Sequence, residues 1–387
     1  MKRTTLLIAF LLSLNFIQAQ ESIITTAVPF LLVAADARSA GMGDNGVATS
    51  TDAFSQQWNP SKYTFATDQQ GFAVSYTPYL TDLVNDISLA QITYYNRYSD
   101  KSSFAGSFRY FGLGDIELRQ DFDSPALIVS PNEFAFDLSY SLKLSEKFSM
   151  AVAGRFINSN LKVATENNDS SSSSSFAVDV AGFFQSEEIA YRDFNGRWRA
   201  GFNLQNMGPK MSYDNDDLNN NFLPANMRLG GGFDFILDEY NKIAVNLELS
   251  KLMVPTPQSS DLNGDGTITS EEERQNSDNY RSIGWFSGML HSFTDAPGGF
   301  SEELKEVTYS LGSEYVYQDS FSFRAGYFYE SPDKGAREFF SLGAGFKYTS
   351  LKIDVSYLFS ASKVQNPLEN TLRFSLTFNF GNKYENY

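Results

Sequence analysis

The feature that most constrains this chain is an alternation of apolar and polar residues that recurs from residue 69 to its end. In the last such segment Leu372, Phe374, Leu376, Phe378 and Phe380 project one way, and Thr371, Arg373, Ser375, Thr377 and Asn379 the other. The segment before it sets Leu351, Ile353, Val355, Tyr357 and Phe359 against Lys352, Asp354 and Ser356. Earlier, Trp198, Ala200, Phe202 and Leu204 oppose Arg197, Arg199, Asn203 and Gln205, while Ile243, Val245, Leu247 and Leu249 oppose Asn246, Glu248 and Ser250. A period of two belongs to strands whose faces meet different surroundings. Fourteen strands are expected, at 69–77, 86–98, 101–118, 131–144, 146–163, 173–189, 195–206, 222–238, 241–253, 304–317, 319–330, 337–349, 351–361 and 370–381. No helix of useful length is expected between them.

Alternation alone fits a soluble sandwich or a membrane barrel, and the connections separate the two. Every second connection is tight, as at 98–101, 144–146, 238–241, 317–319 and 349–351, with 190–194 slightly longer. The others are long and polar: 78–85, 119–130, 164–172, 207–221, 254–303, 331–336 and 362–369. Short turns on one rim and long loops on the other, with an even strand count, describe an all-β, antiparallel outer-membrane barrel with periplasmic turns. Both termini are then expected on the turn side. A charge facing lipid near the midplane costs about 2–4 kcal/mol. Arg199, Glu248, Glu314, Arg324, Lys352, Asp354 and Arg373 all lie on the polar side of their strands, and so are expected in the lumen as a salt-laced interior. This reconciles 15% aromatic residues with a mean hydropathy of −0.30. The apolar rings face lipid and the charges face inward.

Export is expected as well. Lys2 and Arg3 precede an apolar stretch from Leu6 to Ile17, and Ala19 then gives a small residue at the cut, so 1–19 reads as a secretory signal peptide. The absence of cysteine excludes thiolate metal sites, catalytic thiols and disulfides, and one histidine excludes a His-rich metal site. A net charge of −16 argues against a nucleic-acid partner, which needs cations to displace counterions. Any Ser-His-Asp arrangement would have to use His291, and no G-x-S-x-G motif occurs, so no enzyme is expected. The Gly112/Gly114 and Gly343/Gly345 pairs read as packing or bend positions within strands, and Ser170–Ser175 as a low-complexity loop tip.

Residues 20–68 do not alternate, and read as a hatch folded into or under the periplasmic mouth of a barrel spanning 69–387. They hold Asp36-Ala37-Arg38, Gly41-Met42-Gly43, Gly46-Val47-Ala48, Asp52 and Trp58-Asn59-Pro60. The small residues suit close backbone packing, and Asp36 and Arg38 are expected to pair. This run, followed by a barrel, resembles the PorV/PorQ family, which is related in architecture to FadL-type fatty-acid transporters. The fourteen strands and the long 254–303 loop favour the PorV branch. The resemblance implies a non-enzymatic role in type IX secretion. Its implied partners are the giant outer-membrane translocon barrel, the C-terminal signal domains of cargo, and an attachment complex containing the sortase-like peptidase PorU. The alternative it leaves open is a FadL-like passive transporter of hydrophobic molecules such as long-chain fatty acids. The charged lumen weighs against that alternative, and an apolar pocket formed by residues 20–68 would weigh for it.

Within the 254–303 loop, Asp261-Leu262-Asn263-Gly264-Asp265-Gly266-Thr267-Ile268-Thr269-Ser270-Glu271-Glu272 follows the twelve-residue calcium-loop pattern. Asp261, Asn263 and Asp265 would supply side-chain oxygens, Thr267 its carbonyl, Thr269 a direct or water-mediated contact, and Glu272 a bidentate carboxylate. Calcium there would order the loop. Pro255-Thr256-Pro257-Gln258 allows no entering helix, so the loop would stand alone. Ile283, Trp285, Phe286, Met289 and Leu290 form a short apolar helical face suited to lipid, partner or cargo, or to packing over the barrel's own rim. A second acidic run, Asp214-Asn215-Asp216-Asp217, is expected in an external loop.

Overall fold

The computed structural model describes residues 23–79, 86–119, 126–161, 172–213, 220–362 and 368–384. The expected signal peptide, the Asp214–Asp217 run and the centres of several long loops lie outside the described residues. Among those described, fourteen strands form the wall: β1 (Asp68–Pro78), β2 (Ile87–Arg97), β3 (Ser102–Leu113), β4 (Asn132–Ser145), β5 (Phe148–Asn160), β6 (Ser173–Gln185) and β7 (Asn195–Met207). The circuit continues with β8 (Asn226–Ile236), β9 (Asn241–Leu252), β10 (Val307–Tyr317), β11 (Phe321–Tyr329), β12 (Glu338–Tyr348), β13 (Leu351–Ser360) and β14 (Leu372–Lys383). Each strand runs antiparallel to the next, and β14 pairs with β1, Phe72 opposite Phe378, so the sheet closes on itself. Closure removes the unpaired edges that a membrane would not tolerate.

The faces follow the alternation. Phe374, Leu342, Trp198 and Leu247 are among the exposed apolar side chains of the outer wall, whereas Arg373, Ser341, Arg199 and Glu248 are buried within. The short connections all fall on one rim and the long ones on the other, as strand parity requires. Short-turn residues 185–195 add only a two-residue strand at Ile189–Ala190 that pairs with the start of β7.

Residues 23–67 fill the lumen, and from Ala34 to Phe65 nearly every one is buried. Polar caps make the local turns. Asp36 accepts from the Ser39 amide (2.7 Å) at the start of α1 (Ala37–Ala40), and from the Trp58 indole (2.8 Å) at the end of α2 (Ser55–Trp58). Asn59 caps the 3₁₀ turn Pro60–Phe65 through the Ser61 amide (3.1 Å). The expected Asp36–Arg38 pair does not form, because Asp36 is engaged by these caps. Arg38 instead bonds Asp52 (2.7 Å) within the plug and Glu314 (2.7 Å) on the wall.

The plug's backbone rests directly on the wall. A Cβ at Gly326 would sit 2.0 Å from the Gly43 nitrogen, and one at Gly201 would sit 2.4 Å from the Val47 carbonyl oxygen. Only glycine permits such approach. Gly343 likewise packs on Gly41, in keeping with its reading as a packing position.

Two expectations need correction. The chain passes into β1 and out of β14 on the short-turn rim, but the plug climbs the whole lumen. Ile23–Val33 lies at the long-loop mouth, where the Ala27 amide donates to Phe222 (2.9 Å) and Arg109 donates to the Leu31 carbonyl (3.1 Å). The hatch is therefore not confined to the turn-side mouth, and the two ends of the described chain lie at opposite rims. The segment climbs because Ala27, Val28, Phe30 and Leu31 bury themselves against Leu89, Ala135, Ile157 and Ala177 in the long-loop half of the barrel. Helices beyond those expected also occur between strands, α3 (Ser270–Ser282) and a short α5 (Phe300–Glu303), whereas α4 (Trp285–His291) coincides with the short helical face expected there. α3 has no buried residue and hence no apolar stripe for periodicity to detect. It is held by a Thr269/Glu272 capping box and three acidic residues in its first turn.

Glu314 accepts from both Arg38 and Arg324 in a buried setting, so Glu314→Gln leaves two guanidiniums undercompensated. Breaking a buried pair costs about 3–5 kcal/mol. Urea unfolding in detergent is expected to show a loss of that order with the strand content of the folded state unchanged.

Candidate functional site

The inward charges are met in pairs and small networks. Arg324 bonds Glu314 (2.7 Å) and lies 2.8 Å from Asp354, which also meets Lys352 (3.3 Å). Arg228 meets Glu248 (2.8 Å), whose other oxygen accepts from the Gly46 (2.8 Å) and Val47 (2.9 Å) amides of the plug. Arg199 pairs with Asp234, and Arg373 lies 3.4 Å from Asp44. All seven expected lumen charges thus face inward and are neutralised, which makes them fastenings rather than a free filter. Arg155, bridging Asp137 (3.4 Å) and Asp179 (2.9 Å), belongs to the same system and was not singled out from sequence. The alternation carried the signal, since Asp137 stands between the outward Phe136 and Leu138.

With the lumen filled, chemistry open to a macromolecule gathers at the long-loop face. The base of the 252–307 loop is clasped to the rim. Lys251 bonds Glu303 (3.0 Å) and Glu306 (2.5 Å), Thr256 donates to Glu306 (2.7 Å), and Lys334 from the neighbouring loop meets Glu302 (2.5 Å) and Glu306 (3.1 Å). Burial, with Glu303 and Glu306 nearby, holds the Asp295 carboxyl above the ordinary carboxylate range. Neither lysine of this clasp was anticipated, because its partners lie about fifty residues away in sequence for one and on a different loop for the other.

The calcium-type loop is folded by its own side chains. Asp261 accepts from the amides of Gly264 (2.8 Å), Asp265 (3.2 Å) and Gly266 (2.9 Å), and Asn263 accepts from the Asp265 amide (2.8 Å). Asp265 accepts from the Thr267 amide (2.8 Å) and hydroxyl (2.5 Å), while Gly264 and Gly266 take positive φ. Glu272 turns to the Thr269 amide (3.0 Å) and hydroxyl (2.7 Å) as part of the helix cap. Oxygen donors of the right type are present, but among the described residues no three acidic or imidazole side chains already converge on one point. An exit helix follows this loop, so it is half of a helix–loop–helix rather than a lone turn.

The apolar stretch divides. Met289 is buried against Ala225 and Met253 with Leu204, Met207 and Met227 beside it, and so it anchors the loop to the rim. Phe286 and Leu290 stay exposed, at 56% and 59%, and Ile283 and Trp285 are half-buried. Met289 thus packs on the chain itself rather than on an open surface. His291 Nδ1 lies 3.2 Å from Ser287 Oγ on the exposed side of α4, a local helix-surface contact; among the described residues no carboxylate bonds the imidazole.

A cavity of about 480 Å³ opens at the same rim. Ile23, Ile24 and Phe30 of the plug meet Phe111 and Phe328 of the wall there, and Glu330 with Arg337 closes one side. The plug thus lines a recess of mixed character, since Asp44, Arg228, Glu306 and Lys334 border it as well.

Several solved barrels are similar at low identity. The toluene transporter TbuX of Ralstonia pickettii is 11% identical, with a TM-score of 0.48 over 91% of this chain and 100% of that one. The CymD monoaromatic hydrocarbon channel is 12% identical, with 0.48 over 90% and 98%. A FadL homologue of Pseudomonas aeruginosa is 11% identical, with 0.45 over 90% and 99%. No curated protein matches the chain. The family described as "Type IX secretion system protein PorV" matches residues 16–259, well over half of the sequence and including the plug and nine strands. The chain belongs to the PorV family, the outer-membrane β-barrel component of type IX secretion.

Proposed function

We propose that this barrel is a non-enzymatic adaptor that works from its long-loop face. It binds the giant translocon barrel, receives the C-terminal signal domain of cargo, and passes cargo to the attachment complex that contains the PorU peptidase. The observation that carries this reading is the plug. A lumen occupied from rim to rim, and fastened by buried ion pairs, favours docking on the loops over passage of a folded cargo through the pore. The long loops supply the extended, acidic and partly helical surface that docking needs, and with the long loops outside, the turns face the periplasm.

We further propose that Ca²⁺ binds at Asp261, Asn263, Asp265, Thr267, Thr269 and Glu272. Binding would require Glu272 to leave its cap and swing toward Asp261, which couples ion binding to the start of α3. The ion would act structurally, ordering the loop that faces partners. Calorimetric titration of the purified barrel is expected to show one binding event in the micromolar to millimolar range spanned by calcium loops. Asp261→Ala should remove it, and no heat at millimolar Ca²⁺ would refute the site.

The recess lined by Ile23, Ile24 and Phe30 is the one observation that favours the transporter alternative, in which the cavity holds a long-chain fatty acid. A single preparation separates the readings. Pull-down of the intact protein from detergent-solubilised outer membranes, with mass spectrometry of what accompanies it, is expected to recover the translocon barrel and attachment-complex subunits. Recovery of bound fatty acid with neither protein partner would favour the transporter.

A further inference from the structure

We infer that the short helix α4 is a membrane-boundary anchor, and that Phe286 and Leu290 seat in lipid beside the outer wall at β7–β9. The helix is placed there by Met289, whose neighbours Leu204 and Met227 are outward-facing wall residues paired across β7 and β8. Leu204 shares its face with Trp198, and Met227 shares its face with Leu229, at 53% and 43% exposure. α4 therefore lies over the outside of the barrel rather than over its mouth.

The height is right for lipid. Met227 lies four residues above Gly231, the midpoint of β8 (Asn226–Ile236). At roughly 3.3 Å per residue and a tilt of about 40°, that is about 10 Å above mid-strand, just inside the edge of an apolar band about 25 Å tall. Phe286 and Leu290 thus continue an established lipid-facing surface instead of starting a new one.

The helix is two-faced in the sense this requires. Trp285, Met289, Phe286 and Leu290 fall on one arc, while Ser287 and His291 bond each other on the opposite one. Tryptophan beside apolar residues and a polar back face suits the headgroup boundary. Charge at this level is also neutralised. Lys251, placed by alternation on the outward face of β9, is covered by the loop and paired with Glu303 and Glu306. A protein partner here would more naturally leave a polar rim.

The absence of native cysteine makes the test direct. Single cysteines at Phe286, Leu290 and Ser287 are spin-labelled in the full-length protein in phosphatidylcholine vesicles. Leu247→Cys serves as the lipid-facing control and Asp278→Cys as the water-facing one. Labels at 286 and 290 are expected to collide several-fold more with oxygen, relative to a water-soluble nickel chelate, than the label at 287. Their oxygen preference should lie between that of the Leu247 control, which pairs with mid-strand Gly231, and that of the Asp278 control, as a position at the membrane boundary requires. Nickel accessibility equal to that at Asp278 would overturn the inference, as would inaccessibility to both reagents, which would mean packing against protein. Resistance to unfolding in sodium dodecyl sulfate, checked for each variant, ensures that the folded barrel is being read. Purified protein alone is used, so the outcome is independent of whether the adaptor reading holds.

Discussion

The contact of Arg38 with Glu314 is the interaction on which the rest of the molecule depends. A barrel whose outer wall must be apolar can place its charges only inside, and a dry interior accepts charges only in pairs. Glu314 takes Arg38 from the plug and Arg324 from the wall, while Glu248 takes Arg228 from the wall and two amides from the plug. Wall and plug therefore complete each other's valences. Removing the plug would leave Glu314 with Arg324 alone and Glu248 with Arg228 alone, and removing the wall would leave Arg38 with Asp52 alone. The wall glycines serve the same fit, letting Gly43 and Val47 approach as backbone to backbone.

This division of labour explains what could be read from sequence. The strands were legible because lipid on one side and the plug on the other impose a strict two-residue period, and strands such as β8 and β9 fall within their expected ranges. The inward direction of Arg199, Glu248, Glu314, Arg324, Lys352, Asp354 and Arg373 followed from that phase. Their partners did not, since Arg38 and Glu314 lie 276 residues apart and nothing in alternation specifies the pairing. The Asp36–Arg38 expectation failed for this reason: proximity in sequence stood in for proximity in space, and the Trp58 indole competed for Asp36. α3 escaped detection because it is polar on all sides, although T-x-x-E at Thr269–Glu272 announces its start. Met289 looked like its neighbours Phe286 and Leu290, and only the rim residues Leu204 and Met227 distinguish it.

The candidate site follows from the filled interior. The outer wall belongs to lipid and the lumen to the plug, so the long-loop rim remains. There the 252–307 loop is clasped by Lys251 and Lys334, extends α3 into solvent, and lays α4 against the wall. A loop tied at its base and edge, with α3 held along one side by Asn276 and Tyr280 and its acidic first turn exposed, suits presentation of a surface to another protein. The recess beside Ile23 and Phe30 shows that the plug's upper end leaves space at the same rim, so ligand and partner surfaces are neighbours.

The most direct measurement of whether the protein works from its outer face is to lock the plug. The Ala37 amide lies 2.8 Å from Ser375 Oγ of the wall, and the chain has no cysteine of its own. In the A37C/S375C variant, an oxidised disulfide would hold the plug in place. If cargo is handled on the loops, cells carrying the locked barrel should export and attach cargo as they do with the reduced form. Loss of export on oxidation, restored by reductant, would contradict this account and make plug movement part of the mechanism.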